Sequence, residues 1–173
     1  MAPRTPLPPE LLSKDTKQLC DLLNEGSDAS VVIVGVSYID ACLASLIAKR
    51  LRKSSVTEKL LDSRSGSIGS FVARADLAYT LALISKSMYQ DLLVLAELRN
   101  VAAHHHFELS FASEAIAAGC NKLKYLRGLK NGGTDEPLMD EGLIAPPRNR
   151  FTITAIMIVN RLLIAALETS HAE

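Results

Sequence analysis

The sequence predicts an all-α fold: a single-domain bundle of about six helices built round a central helical hairpin. Three observations lead there. Apolar residues recur three and four positions apart in the long segments, the spacing of a helix with one buried face. Runs of β-branched residues sit inside periods of helical length, so no credible strand pairs appear. Serine, aspartate and glycine punctuate the boundaries where helix caps and stops belong. At 173 residues the chain can bury one sizeable core. With 48% apolar and 22% charged residues its composition is ordinary for a globular protein.

Residues 1–9 hold four prolines and are expected to form a flexible arm ahead of one domain over residues 10–170. They contain no apolar signal core, so the expected location is the cytoplasm. A first helix follows over Glu10–Asn24, with Leu11, Leu12, Leu19, Leu22 and Leu23 inward and Gly26 as its stop. Ser27 or Asp28 can cap a second helix over Ala29–Arg52, whose stripe is Val32, Val36, Ile39, Leu43 and Leu46. Ile33, Val34 and Ile47 widen that face, so this helix should be covered on several sides. Its stretch Ser30–Ala48 approaches the roughly 20 apolar residues of a membrane span. Asp40 lies in its middle, between Ser37 and Ser45, which favours a buried central helix with no membrane role. Lys49, Arg50, Arg52 and Lys53 complement the dipole at its end, a phosphate contact being the lesser reading.

Val56–Leu61 reads as a short helical turn or loop, and Ser63–Gly69 as a connection without phosphate-loop spacing. Ser67 or Ser70 caps a third helix running to Ile84, with Ile68, Phe71, Ala75, Ala78 and Ala82 inward. Ser85 caps the fourth, whose stripe is Met88, Leu92, Leu95, Leu98 and Ala102. These two form the hairpin. If Leu81 and Leu95 are core residues, truncating either to alanine costs about 2–5 kcal/mol. A fifth helix is expected over Ala112–Leu129, stopped by Gly132-Gly133. An acidic surface loop follows over Thr134–Pro147, then a last helix over Phe151–Glu168 with Ile156, Val159, Leu163 and Leu167 inward.

The formal net charge is zero, which offers no cationic field for nucleic acid. Aromatic residues are few and do not alternate with basic ones, and the hairpin is too apolar for a groove-reading helix. The three cysteines, Cys20, Cys42 and Cys120, have no ligand spacing and are expected as buried free thiols. No metal site is expected, because the adjacent His104, His105 and His106 point apart on a helix and no zinc motif occurs. No cofactor is implied.

One constellation carries possible chemistry. Asn100 and His104 stack on one helical face, with Arg99 about 100° round. Arginine clamps phosphate and histidine moves protons near neutral pH, so Arg99, Asn100 and His104 are candidates for metal-free RNA cleavage. The structural reading, which the spacing favours, pairs Arg99 with Asp91, Asp76 or Glu97.

The segment G-S-F-x-x-R-x-D-L-A-Y-x-L-x-L-I-S, Gly69–Ser85, followed by L-R-N-x-x-A-H, Leu98–His104, resembles the mannitol repressor family. That resemblance implies an all-helical bacterial cytoplasmic regulator of transcription, a repressor linked to sugar-alcohol uptake. It lacks its own DNA-reading motif and so acts through a protein partner, with DNA contact direct or indirect left open. No catalytic residue is then expected, and Arg74, Asp76, Arg99 and Asn100 would hold the hairpin together as a structural polar cluster. The R-N-x-x-x-H element is also similar to the signature of HEPN domains, helical modules that include metal-independent ribonucleases. Arg99, Asn100 and His104 match it, and this second resemblance implies a homodimer burying the end of the fourth helix.

Overall fold

A computed structural model describes residues 6–104, 109–132 and 135–169. Among these residues it contains nine α-helices and no strand. They are α1 (Pro9–Lys14), α2 (Thr16–Glu25), α3 (Asp28–Arg50), α4 (Ser55–Leu61), α5 (Phe71–Thr80), α6 (Lys86–His104), α7 (Glu114–Asn121), α8 (Glu141–Ile144) and α9 (Pro147–Glu168). The fold class is the all-α bundle that the periodicity predicts.

Helix α3 is the axis. Ser27 caps it by accepting from the N–H of Ser30, and its whole predicted stripe is buried. Val31, Cys42 and Ile47 are buried as well, because α9, α5 and α6 cover it on several sides. Gly35 lets α2 and α9 come close: a Cβ there would lie 3.2 Å from Leu23 and 3.3 Å from Phe151. Both α3 and α9 are long and apolar enough to cross a bilayer. Their apolar faces are instead packed mainly against each other inside the bundle.

Three predicted helices break, each where a polar group claims a backbone partner. The first divides at Asp15, where the Leu12 carbonyl accepts from the Asp15 N–H and from the Tyr38 hydroxyl of α3. Leu12, Leu19 and Leu23 are buried and Leu22 is half-buried, but Leu11 faces solvent. The third ends at Thr80, four residues early. Ala82 adopts φ 54°, the Leu83 N–H reaches the Ala78 carbonyl, and the Ala82 N–H reaches that of Tyr79. This is a Schellman stop with alanine in the left-handed position. Leu81 is therefore 42% exposed and Ala82 is exposed; neither belongs to the core expected for them. The predicted stripe of α6, Met88 to Ala102, is buried throughout.

The third break is in the fifth helix, where α7 stops at Asn121 and a 3-10 turn, Leu126–Gly128, replaces its second half. The Asp91 carboxylate of α6 draws the chain off course by accepting from the N–H groups of Lys124 and Tyr125 at 2.8–3.1 Å. Burial raises the Asp91 pKa, and these two backbone donors oppose the shift. Within the acidic segment Asp140 caps α8, and α9 begins early because Pro147 suits a first turn. The buried face of α9 runs through Phe151, Ala155, Ile158, Leu162 and Ala166. Val159 and Leu163 share it, whereas Leu167 is exposed.

Candidate functional site

The loop between α4 and α5 is tightly wound. Asp62 Oδ1 accepts from the N–H of Arg64, the N–H of Ser65 and the Ser65 hydroxyl. A Cβ at Gly66 would lie 2.2 Å from the Leu60 carbonyl oxygen, and one at Gly69 would lie 2.4 Å from that of Asp62. Only glycine permits so close a fold of chain on chain. Ser70 then caps α5, which brings Arg74 inward one turn later.

Arg74 is 4% exposed and uses all three of its guanidinium nitrogens. Nη1 donates to Asp40 Oδ1 at 2.6 Å, Nη2 to the Leu61 carbonyl at 2.8 Å, and Nε to the Ile68 carbonyl at 3.1 Å. One side chain thereby joins α5 to the middle of α3 and to the end of α4. A buried charge is tolerated only with such pairing. The signal was in the sequence: a carboxylate inside an apolar helix needs a cation, and α5 carries an arginine among alanines.

Above this ion pair opens a cleft of about 400 Å³, lined by Asp40, Ser63, Ser70, Phe71, Arg99 and Asn100. Arg99 is half-buried and Asn100 exposed. Neither side chain forms a hydrogen bond or ion pair with another described residue. The partners expected for Arg99 are engaged elsewhere: Asp91 by the backbone of Lys124 and Tyr125, Glu97 by Lys122 at 3.8 Å, and Asp76 by the Tyr89 hydroxyl at 2.8 Å.

Arg99 and Asn100 thus line one cleft with Asp40, Arg74 lies outside its lining and bonds Asp40, and Asp76 takes no part. Its bond to Tyr89 ties α5 to α6, with Tyr89 stacked on Tyr79 at 4.7 Å. Accepting that phenolic hydrogen bond, Asp76 raises the Tyr89 pKa. His104 is the exposed last residue of α6, one turn beyond Asn100 and outside the cleft lining. His105 and His106 lie outside the described residues.

Chemically, the cleft offers a guanidinium fork and a carboxamide to an anion or a polar backbone. Its carboxylate, Asp40, is already held by Arg74. Burial pushes the thiols of Cys42 and Cys120 up to about 12, which makes them poor nucleophiles. Among the described residues no group of three or more His, Cys, Asp or Glu side chains is placed to hold a metal.

The chain matches the mannitol repressor family over residues 17–162. No curated protein matches its sequence. Its fold is similar to a chain in the X-ray structure of the MtlR–HPr complex from Escherichia coli, with a TM-score of 0.65 and 23% identity. That likeness covers 84% of this chain and 96% of the other. Matched over most of its length, this chain belongs to the mannitol repressor family.

Proposed function

We propose that this chain is a cytoplasmic, repressor-type regulator of transcription that works as a homodimer through a protein partner and has no DNA-reading element of its own. The observation that carries the reading is an open cleft of about 730 Å³ between the hairpin turn, the segment after α7 and the second half of α9. Leu83, Met88, Leu138, Met157 and Ile164 line it, with Lys130 and Arg161 alongside. Leu138 and Ile164 remain substantially exposed, as do Leu81 beside the turn and Leu167 one position short of a helical turn beyond Ile164. Apolar surface of this kind, edged by charge, suits a protein partner. Zero net charge supports indirect rather than direct contact with DNA. The buried thiols Cys42 and Cys120, unpaired in the fold, accord with a reducing compartment.

The structural relative was solved as a complex with HPr, so HPr is the partner to test. Calorimetric titration with HPr is expected to give a saturable complex, and Ile164→Asp should weaken it at least about tenfold with the melting temperature unchanged. Absence of binding by wild type overturns HPr as the partner. Sedimentation velocity tests the homodimer. A gel shift of purified protein tests DNA, where direct binding would show a steep loss of affinity with salt.

The free fork of Arg99 favours one second reading: a HEPN-like metal-independent ribonuclease or nucleotide-binding module using Arg99, Asn100 and His104. RNA cleavage in excess chelator, lost in both Arg99→Ala and His104→Ala, supports it. Absence of cleavage by wild type removes the ribonuclease reading.

A further inference from the structure

A second cavity, of about 270 Å³, lies where residues 6–9 run beside the C-terminal half of α3 and against α4. Its walls are largely apolar, with Pro6, Leu7, Pro9, Ala48 and Leu61 among them. Leu7 lines it yet leaves about half of its own surface open (52%), so the described residues do not fill this apolar wall.

Two features separate it from a packing gap. The first is Ser45, which lines the cavity, is 2% exposed, and has an Oγ with no hydrogen-bond partner among the described residues. Buried hydroxyls rarely lack a partner. Thr152 and Thr154 of α9 share that state, but Ser45 is the one whose cavity is also lined by two lysines. These are Lys49, one turn after Ser45 on α3, and Lys53.

Those lysines are the second feature. The Lys49 side chain is only 21% exposed, and its ammonium approaches Glu10 at 3.8 Å, beyond hydrogen-bond distance. Lys53 is exposed and makes no hydrogen bond or ion pair with a described residue. Glu58 is the one carboxylate among the described lining residues and Glu10 stands outside it near Lys49, so Lys53 is the lining cation with no described carboxylate paired to it. An apolar pocket with converging polar groups at one side is the general form of a small-molecule site.

We propose that this cavity binds an amphipathic monocarboxylate. Its tail would lie against the prolines and Leu61. Its carboxylate would accept hydrogen bonds from Lys49, Lys53 and the Ser45 hydroxyl, giving that hydroxyl the partner it lacks. The volume sits near the lower end for ligand pockets, which limits the ligand to on the order of ten heavy atoms. The site is separate from the Arg99 cleft and does not depend on the partner reading.

The test uses the full chain with octanoate as probe, octanol as the uncharged counterpart and acetate as the tailless one. Calorimetry is expected to show saturable octanoate binding with Kd below about 1 mM, and octanol and acetate at least about tenfold weaker. Methyl resonances of Ala48 and Leu61 should shift with the same Kd. Lys49→Met should weaken octanoate about tenfold. Lys53→Met, an exposed substitution, provides the same readout if Lys49→Met fails to fold. Ser45→Ala should weaken binding without lowering the melting temperature of the ligand-free protein. No saturable binding below about 1 mM, equal binding of octanol and octanoate, or an affinity unmoved in every folded lysine variant would each overturn the proposal.

Discussion

Two arginines, one behind the Asp40 cleft and one lining it, stand in opposite circumstances. Arg74 reaches the cleft only through the lining residue Asp40, and is itself enclosed and bonded to that carboxylate and two carbonyls. Arg99 forms part of its wall, half-buried, with no described partner. Both are single arginines in helices of similar apolar character, and local sequence does not separate them. The difference lies in what the neighbouring helix presents. The middle of α3 brings Asp40 to Arg74, while the acidic residues nearest Arg99 in sequence are drawn to other groups. An arginine fully used by its surroundings holds structure together, and one left over has binding capacity for something outside the chain.

Substitution should separate the two sharply. Arg74→Ala leaves Asp40 beside a cavity without its cation and is expected to cost about 3–5 kcal/mol, read by denaturant unfolding. A loss below 1 kcal/mol would mean that solvent relieves the pair and that Arg74 resembles Arg99 after all.

Asp91, on the same helix as Arg99, sharpens the contrast through pH. Burial places its folded-state pKa above the ordinary value of about 4. Its contribution is therefore fully present below that ordinary value and is lost as pH rises through the raised one. Melting temperatures of wild type and Asp91→Asn, compared from acid to neutral pH, should show wild type losing ground as pH increases. The opposite slope would mean that the Lys124 and Tyr125 amides outweigh desolvation.

A smaller effect belongs to the other end of the hairpin. Ala82→Gly relieves a left-handed alanine and should stabilise the protein by about 1 kcal/mol. Smallest of all, Arg99→Ala and Leu81→Ala should each change stability by no more than about 0.5 kcal/mol. A large loss at Arg99 would erase the distinction between the two arginines.

The hairpin itself was legible, because the Met88–Ala102 stripe and the serine caps at Ser70 and Ser85 are local signals that packing then reinforced. Ser27 and α3 were legible for the same reason. The end of α5 was not. A leucine and an alanine continue a helical period as well as they end one, and the stop rests on backbone bonds at Ala78 and Tyr79. The break in the fifth helix was equally hidden, since its cause, Asp91, lies more than 30 positions away along the chain. Of the candidate site, Arg74, Arg99 and Asn100 were singled out beforehand; Asp40 was noticed only as a charge unsuited to a membrane.

Sequence alone determined that this chain is helical, which faces of its central helices are buried and which family it resembles. Those properties follow from spacing and capping within a few residues, where the geometry of the helix is the same in any context. Tertiary structure decided which charges are satisfied. An ion pair across 34 positions, or a carboxylate that unwinds a distant helix, depends on which helices become neighbours. Only that neighbourhood separates the arginine that holds the bundle together from the one left facing the cleft.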